Sequence, residues 1–150
     1  MGMSREILFR GKDCATRRWL YGDLRQWSET RKGICDCELR RTLEVISETV
    51  GQYTGLTDKH GKKIFEGDIV KAENGKRSCT IVMKFGEYFP KMFYDLLELY
   101  SPSIAKQKLL AHGFFGISIE KKEEVILFQS PNVTVIGNIH DNPELLGGTK

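Results

Sequence analysis

Arginines and large aromatics are interleaved near the start of this chain: Arg10, Arg17, Arg18, Trp19, Tyr21, Arg25 and Trp27. That mixture suits an anionic, aromatic ligand. A guanidinium pairs with phosphate through two parallel hydrogen bonds, and indole or phenol rings stack on bases. The competing reading places Trp19 and Tyr21 in the core, because large aromatics are usually buried, with the arginines solvated outside. We take Arg10, Arg18, Trp19, Tyr21 and Arg25 as the candidate ligand-binding set, with Tyr53 and Lys62 as neighbours.

A catalytic reading finds less support. Asp58, Glu66, Asp68, His140, Asp141 and Glu144 are acid–base candidates. A hydrolase would need two or three of them in one pocket. Asp58 and Asp68 fall in expected turns, where Asp bonds the backbone. Asp141 and Asn142 fall where a helical turn needs a cap. No nucleophile-elbow, zinc-protease or phosphate-loop pattern occurs. Cys14, Cys35, Cys37 and Cys79 lack zinc-ribbon spacing, and His60, His112 and His140 are scattered. We expect no catalytic residue, metal or cofactor.

Composition points to a soluble globular chain. At 150 residues, 40% hydrophobic and 29% charged, it can build a core. No apolar run approaches the ~20 residues of a membrane-spanning helix, and the start lacks a signal-peptide pattern. The net charge of +3 is uneven: +3 over residues 1–47, +2 over 48–85 and −2 over 86–150. This mildly favours an anionic partner.

Alternating segments predict strands at Arg5–Arg10 and Arg18–Leu24, the latter with Gly22 as a bulge or bend. Ser28–Asp36 reads as a loop and Glu38–Ile46 as strand or helix, with strand preferred. Residues 48–70 then alternate short apolar runs with glycine turns at Gly61 and Gly67. Asn74-Gly75 predicts a type I′ hairpin into Cys79–Phe85. Ser101-Pro102 and Gly113 frame a helix over Pro102–His112. Phe114–Ile119 with Glu124–Phe128 reads as a hairpin, and Val133–Ile139 as a last strand. Asn142-Pro143 then opens a helical turn. Short strands on tight turns suggest a small, strongly bent barrel or roll.

Three blocks carry a family resemblance. They are REILFRGKD at Arg5–Asp13, with Trp19 and YGDL at Tyr21–Leu24; VGQYTGLTDKHGKKIFEGDIV at Val50–Val70; and VIGNIHDNPELL at Val135–Leu146. In this order the chain resembles the YopX family of phage and prophage proteins. The resemblance implies a mainly β (α+β) fold with a small Src-homology-3-like barrel, and a place in a viral or mobile genome. It brings no catalytic residues. We expect one domain over 1–150: an N-terminal β-extension at 1–47 and a barrel core at 48–146, with a helical insertion near 94–113.

The expected function is that of a non-catalytic phage accessory protein acting in the cytoplasm of the bacterial host. It would be a homo-oligomeric binding module that sequesters an anionic, nucleotide-type defence signal. The alternative is a small-barrel protein that binds nucleic acid or a host protein; for assembly with itself or with a host protein, Phe89–Tyr94 and strand edges would supply the interface. No membrane partner is expected.

Overall fold

The computed structural model describes residues 6–88, 111–122, 124–125 and 132–147. The chain is mainly β, with eleven strands and two short 3-10 turns, at Ser47–Thr49 and Pro143–Leu146, among those residues. It divides into two compact units. The first comprises Met1–Thr57 and Gly61–Glu66, the second Asp58–His60 and Gly67–Lys150.

The first unit holds β1 (Phe9–Lys12), β2 (Trp19–Gln26), β3 (Lys32–Asp36), β4 (Arg41–Val45), β5 (Gly51–Thr57) and β6 (Lys63–Phe65). They form one antiparallel sheet in the order β4-β3-β2-β1-β5-β6. Side chains alternate across a strand, so each strand divides its residues between two faces. Leu20, Ile34 and Val45 are buried together, with Phe9, Leu24, Leu43 and Val50 packed against them. This cluster is the unit's core.

Gly22 is regular in register, opposite Phe9 on β1 and Asp36 on β3, and makes no bulge. Its lack of a side chain serves close packing instead: a Cβ there would run into the Cys35 carbonyl. The segment expected as a loop before Asp36 ends in strand β3, with Gly33 and Ile34 buried. Short and without polar alternation, β3 shows no period-two pattern to read.

The sheet does not close into a barrel. Closure would need β4 to pair along β1, but β5 already occupies that edge through Phe9↔Gln52 and Arg10↔Gly51. Only Asp13 is left to bridge Val45, flanked by bonds from Ile46 N to Lys12 O (2.8 Å) and from Cys14 N to Glu44 O (3.1 Å).

The second unit holds β7 (Asp68–Asn74), β8 (Arg77–Tyr88), β9 (Ala111–Ser118), β10 (Glu124–Val125) and β11 (Val133–Asn138). Its antiparallel order is β10-β9-β8-β7-β11, an open sheet among the described residues. Ile69, Val70, Ile81, Val82, Met83, Phe115 and Val133 are buried. The β7–β8 hairpin turns on Gly75-Lys76 rather than Asn74-Gly75, since Asn74 pairs with Arg77. Only Gly75 has positive φ there (59°), as a type II′ turn requires.

Most of the expected helix over Pro102–His112 lies outside the described residues, as do Phe89–Tyr94 and the hairpin's return beyond Val125. The described end of that helix is corrected. Ala111 and His112 belong to β9, and Gly113, expected as a helix cap, pairs with Gly86. A pairing partner on β8 decides the matter over local capping chemistry.

Replacing Gly22 with Ala should part β2 from β3. We expect a loss of about 3 kcal/mol or more, read as a lowered midpoint in chemical denaturation.

Candidate functional site

Phe9 and Gly11 face the core of the first unit, so Arg10 and Lys12 face the other way. Directly opposed residues in an antiparallel pair share a face. Arg10 opposes Tyr21, and Lys12 opposes Trp19. On the other side Arg10 opposes Gly51, which brings Tyr53 to the same face, and Tyr53 opposes Phe65. Register alone therefore gathers two cations and four aromatics from β1, β2, β5 and β6.

The side chains meet as the register demands. Arg10 is buried (5% exposed). Its guanidinium lies 4.5 Å from the Trp19 ring centre and 4.9 Å from that of Phe65. Its Nη2 donates to the Glu66 carbonyl at 3.3 Å. Cation–ring contacts of this kind are worth ~2 kcal/mol when desolvated. Lys12 Nζ stands 5.5 Å from the Trp19 ring, and Lys63 Nζ 5.2 Å from the Tyr53 ring. Phe65 meets Tyr21 edge-on at 5.6 Å and Tyr53 in a tilted pair at 5.6 Å. A surface pocket of about 260 Å³ opens here, lined by Leu8, Arg10, Tyr21, Lys62, Lys63 and Phe65.

Two carboxylates shape the electrostatics. Glu6 accepts from Lys63 Nζ at 2.6 Å. Burial pushes the Glu66 carboxyl above its ordinary value, opposed by a backbone hydrogen bond from Gln52 and by the charges of Arg10 and Lys32.

The family model for YopX protein matches residues 8–147, nearly the whole chain. The chain belongs to the YopX family. The crystal structure of protein EF1440 from Enterococcus faecalis is similar at 20% identity and a TM-score of 0.49, covering 95% of this chain and 99% of that one. No curated protein matches the chain.

In this YopX-family chain five of the seven candidate binding residues share the one face or its pocket. Arg10, Tyr21 and Lys62 line the pocket, Trp19 stacks on Arg10, and Tyr53 stands one ring behind. Arg18 is exposed in the β1–β2 turn, and Arg25 is exposed near the far end of β2, opposite Gly33. Trp27 lies apart in the β2–β3 loop, 52% exposed, with Arg31 5.1 Å from its ring. Sequence reasoning missed Phe65 and Lys63. Their signal was the Lys62-Lys63-Ile64-Phe65 run, which reads as a turn flank until the β5–β6 register is known.

Of the acid–base candidates, Asp58 serves the backbone, Asp68 is buried as the first residue of β7 rather than in a turn, and Asp141 and Glu144 accept from the side-chain amides of Asn138 and Asn142. Asp58 accepts from His60 N (2.8 Å) and from Val135 N (3.1 Å), tying its loop to β11 in the second unit. Asn138 accepts from His140 N (3.0 Å) and Asp141 N (2.9 Å). A Cys–Ser–Glu group in the same unit is a hairpin clasp: Glu120 accepts from Thr80 N, the Ser118 hydroxyl and the Cys79 thiol. Among the described residues no three His, Cys, Asp or Glu gather as metal ligands, and no helix is long and apolar enough to cross a membrane.

Arg10→Lys keeps the charge but loses the planar stack. It should lower stability by about 1–2 kcal/mol, seen as a shifted urea midpoint at unchanged slope. Glu66→Gln tests the raised carboxyl. A group whose folded pKa is raised favours the fold below its unfolded value and loses that contribution as pH rises. The variant should therefore melt higher than the parent at pH 7, and the gap should vanish as pH falls below the ordinary value of 4.5.

Proposed function

We propose that this protein is a non-catalytic binding module that holds an anionic, nucleotide-type ligand on the aromatic and cationic face of its first unit. The observation that carries the reading is the buried Arg10. Its guanidinium is already fixed between Trp19 and Phe65 at the wall of a pocket whose rim carries Lys62 and Lys63. A cation held in place loses little conformational freedom when an anion arrives. Tyr21, 44% exposed, offers a ring for stacking beside it.

The size of the pocket bounds the ligand. At about 260 Å³ it falls below the ~300–1,000 Å³ of pockets that enclose drug-sized molecules. It accommodates one phosphate or one ring, so a larger nucleotide would bind by one end. In a phage-encoded chain of this family, stoichiometric capture of a host defence nucleotide in the bacterial cytoplasm fits such a site, and a homo-oligomer would multiply it.

The test is calorimetry of the purified protein against ADP-ribose and cyclic dinucleotides, followed by mass spectrometry of what heat releases. We expect stoichiometric binding, an unaltered ligand, and a loss of roughly tenfold or more in Tyr21→Ala, in line with the worth of a stacked ring. Conversion of the ligand would move the protein to the enzymes. No binding by any of these probes would remove the nucleotide reading.

A further inference from the structure

Two hairpin loops of the first unit, β1–β2 and β3–β4, repeat each other. Asp13-Cys14-Ala15-Thr16-Arg17-Arg18-Trp19-Leu20 and Asp36-Cys37-Glu38-Leu39-Arg40-Arg41-Thr42-Leu43 agree at Asp, Cys, both arginines and Leu. Their geometry agrees too. The Asp13 carboxylate accepts from the N–H groups of Ala15 and Thr16, both at 3.3 Å. The Asp36 carboxylate accepts from those of Glu38 (2.8 Å) and Leu39 (2.7 Å). In each loop the Asp carbonyl accepts from the first arginine's N–H at 2.9 Å.

That first arginine is left-handed in both copies, with φ of 63° at Arg17 and 50° at Arg40. A residue with a Cβ is disfavoured there and glycine is at ease. The chain nevertheless places an arginine at the strained position twice and follows it with a second arginine. Strain kept in this way points to a use for the side chain.

The two tips belong to one end of the sheet. β1 and β3 both run antiparallel to β2, so they point the same way and their following loops emerge together. Cys14 N donates to Glu44 O on β4, which places the first tip alongside the strand that the second tip begins. Asp13 is held below its ordinary pKa first by the Thr16 hydroxyl, with the charge of Arg41 contributing. Arg17, Arg18, Arg40 and Arg41 are all exposed. None of them forms an ion pair among the described residues. Of the acids at this end, Asp13 and Asp36 are engaged with the backbone, Glu44 is paired with Arg31 at 3.2 Å, and Glu38 is an exposed opposing charge.

We propose that the twin Asp-Cys-x-x-Arg-Arg tips form a docking surface for the phosphodiester backbone of a nucleic acid. Guanidinium forks match phosphate oxygens two at a time. Two arginine pairs on separate loops suit successive phosphates of a chain better than one small ion. Such contacts supply affinity without reading sequence. The surface uses none of the residues that line the ring-and-cation pocket, so it stands independently of the ligand assigned there.

The molecule carries its own control. The turn after β9 has the same form, with Ser118 O accepting from Lys122 N at 2.8 Å and Lys122 at φ 54°. It belongs to the second unit. The experiment compares the parent with Arg17→Gly/Arg40→Gly and with Lys122→Gly. It uses fluorescence anisotropy of a labelled 20-nucleotide single strand and of its duplex, from low to moderate salt. Both variants should melt higher than the parent, because glycine relieves the left-handed position. Only the double-arginine variant should lose affinity, by about tenfold at low salt. Its plot of log affinity against log salt should flatten by about 1.5, the worth of two phosphate contacts. Alkylation of the exposed Cys14 and Cys37 should slow when the oligonucleotide is bound. Absence of salt-dependent binding by the parent overturns the proposal. So does a double-arginine variant that binds as the parent does.

Discussion

Burying Arg10 is the constraint around which the first unit is organised. A desolvated guanidinium costs several kcal/mol unless it is met by partners. Here two aromatic faces and a carbonyl meet it, and each comes from a different element: Trp19 from β2, Phe65 from β6, and the Glu66 carbonyl from the residue after β6. β1 can supply the cation only because its two edges carry β2 and β5 at once. The same double pairing stops β4 from closing the sheet. Site and topology thus follow from one four-residue strand.

How much of this could be read in the sequence depended on the range of the signal. β2, β7 and β8 alternate or carry β-branched runs, and they stand close to where the pattern puts them. β3 was missed because Gly33 and the polar residues before it look like a loop, while its strand character comes from pairing on both sides. The mainly β class was legible for the same local reason. The barrel expected over 48–146 was not: β5 and β6 pair into the sheet of the N-terminal strands, β7 to β11 form an open sheet among the described residues, and no local pattern encodes that division.

The site divides along the same line. Arg10, Trp19 and Tyr21 sit on adjacent strands of one hairpin, so residue type and spacing sufficed to group them. Phe65 lies more than fifty positions from Arg10 and arrives by way of β5. Arg18 and Arg25 share the composition of the group but not its place, one in a turn and one at the far end of β2. Asp58, which looked chemical, is explained by the backbone: like Asp13 and Asp36 it accepts an N–H two residues on. Short loops leave amide groups without ladder partners, and an Asp at the loop's start satisfies them.

The pairing of Phe9 with Gln52 also sets an order of events during synthesis. The meander from β1 to β4 is made of sequence neighbours and can zip up early, whereas the β1–β5 ladder must wait for a loop of some forty residues to close. Until β5 has left the ribosome, a nascent chain carries β1 with one edge bare, and until Glu66 follows, Arg10 lacks its second ring and its carbonyl. The N-terminal hairpins are thus a half-built structure for that interval, and completion of β6 is what turns an exposed cation into an interior one.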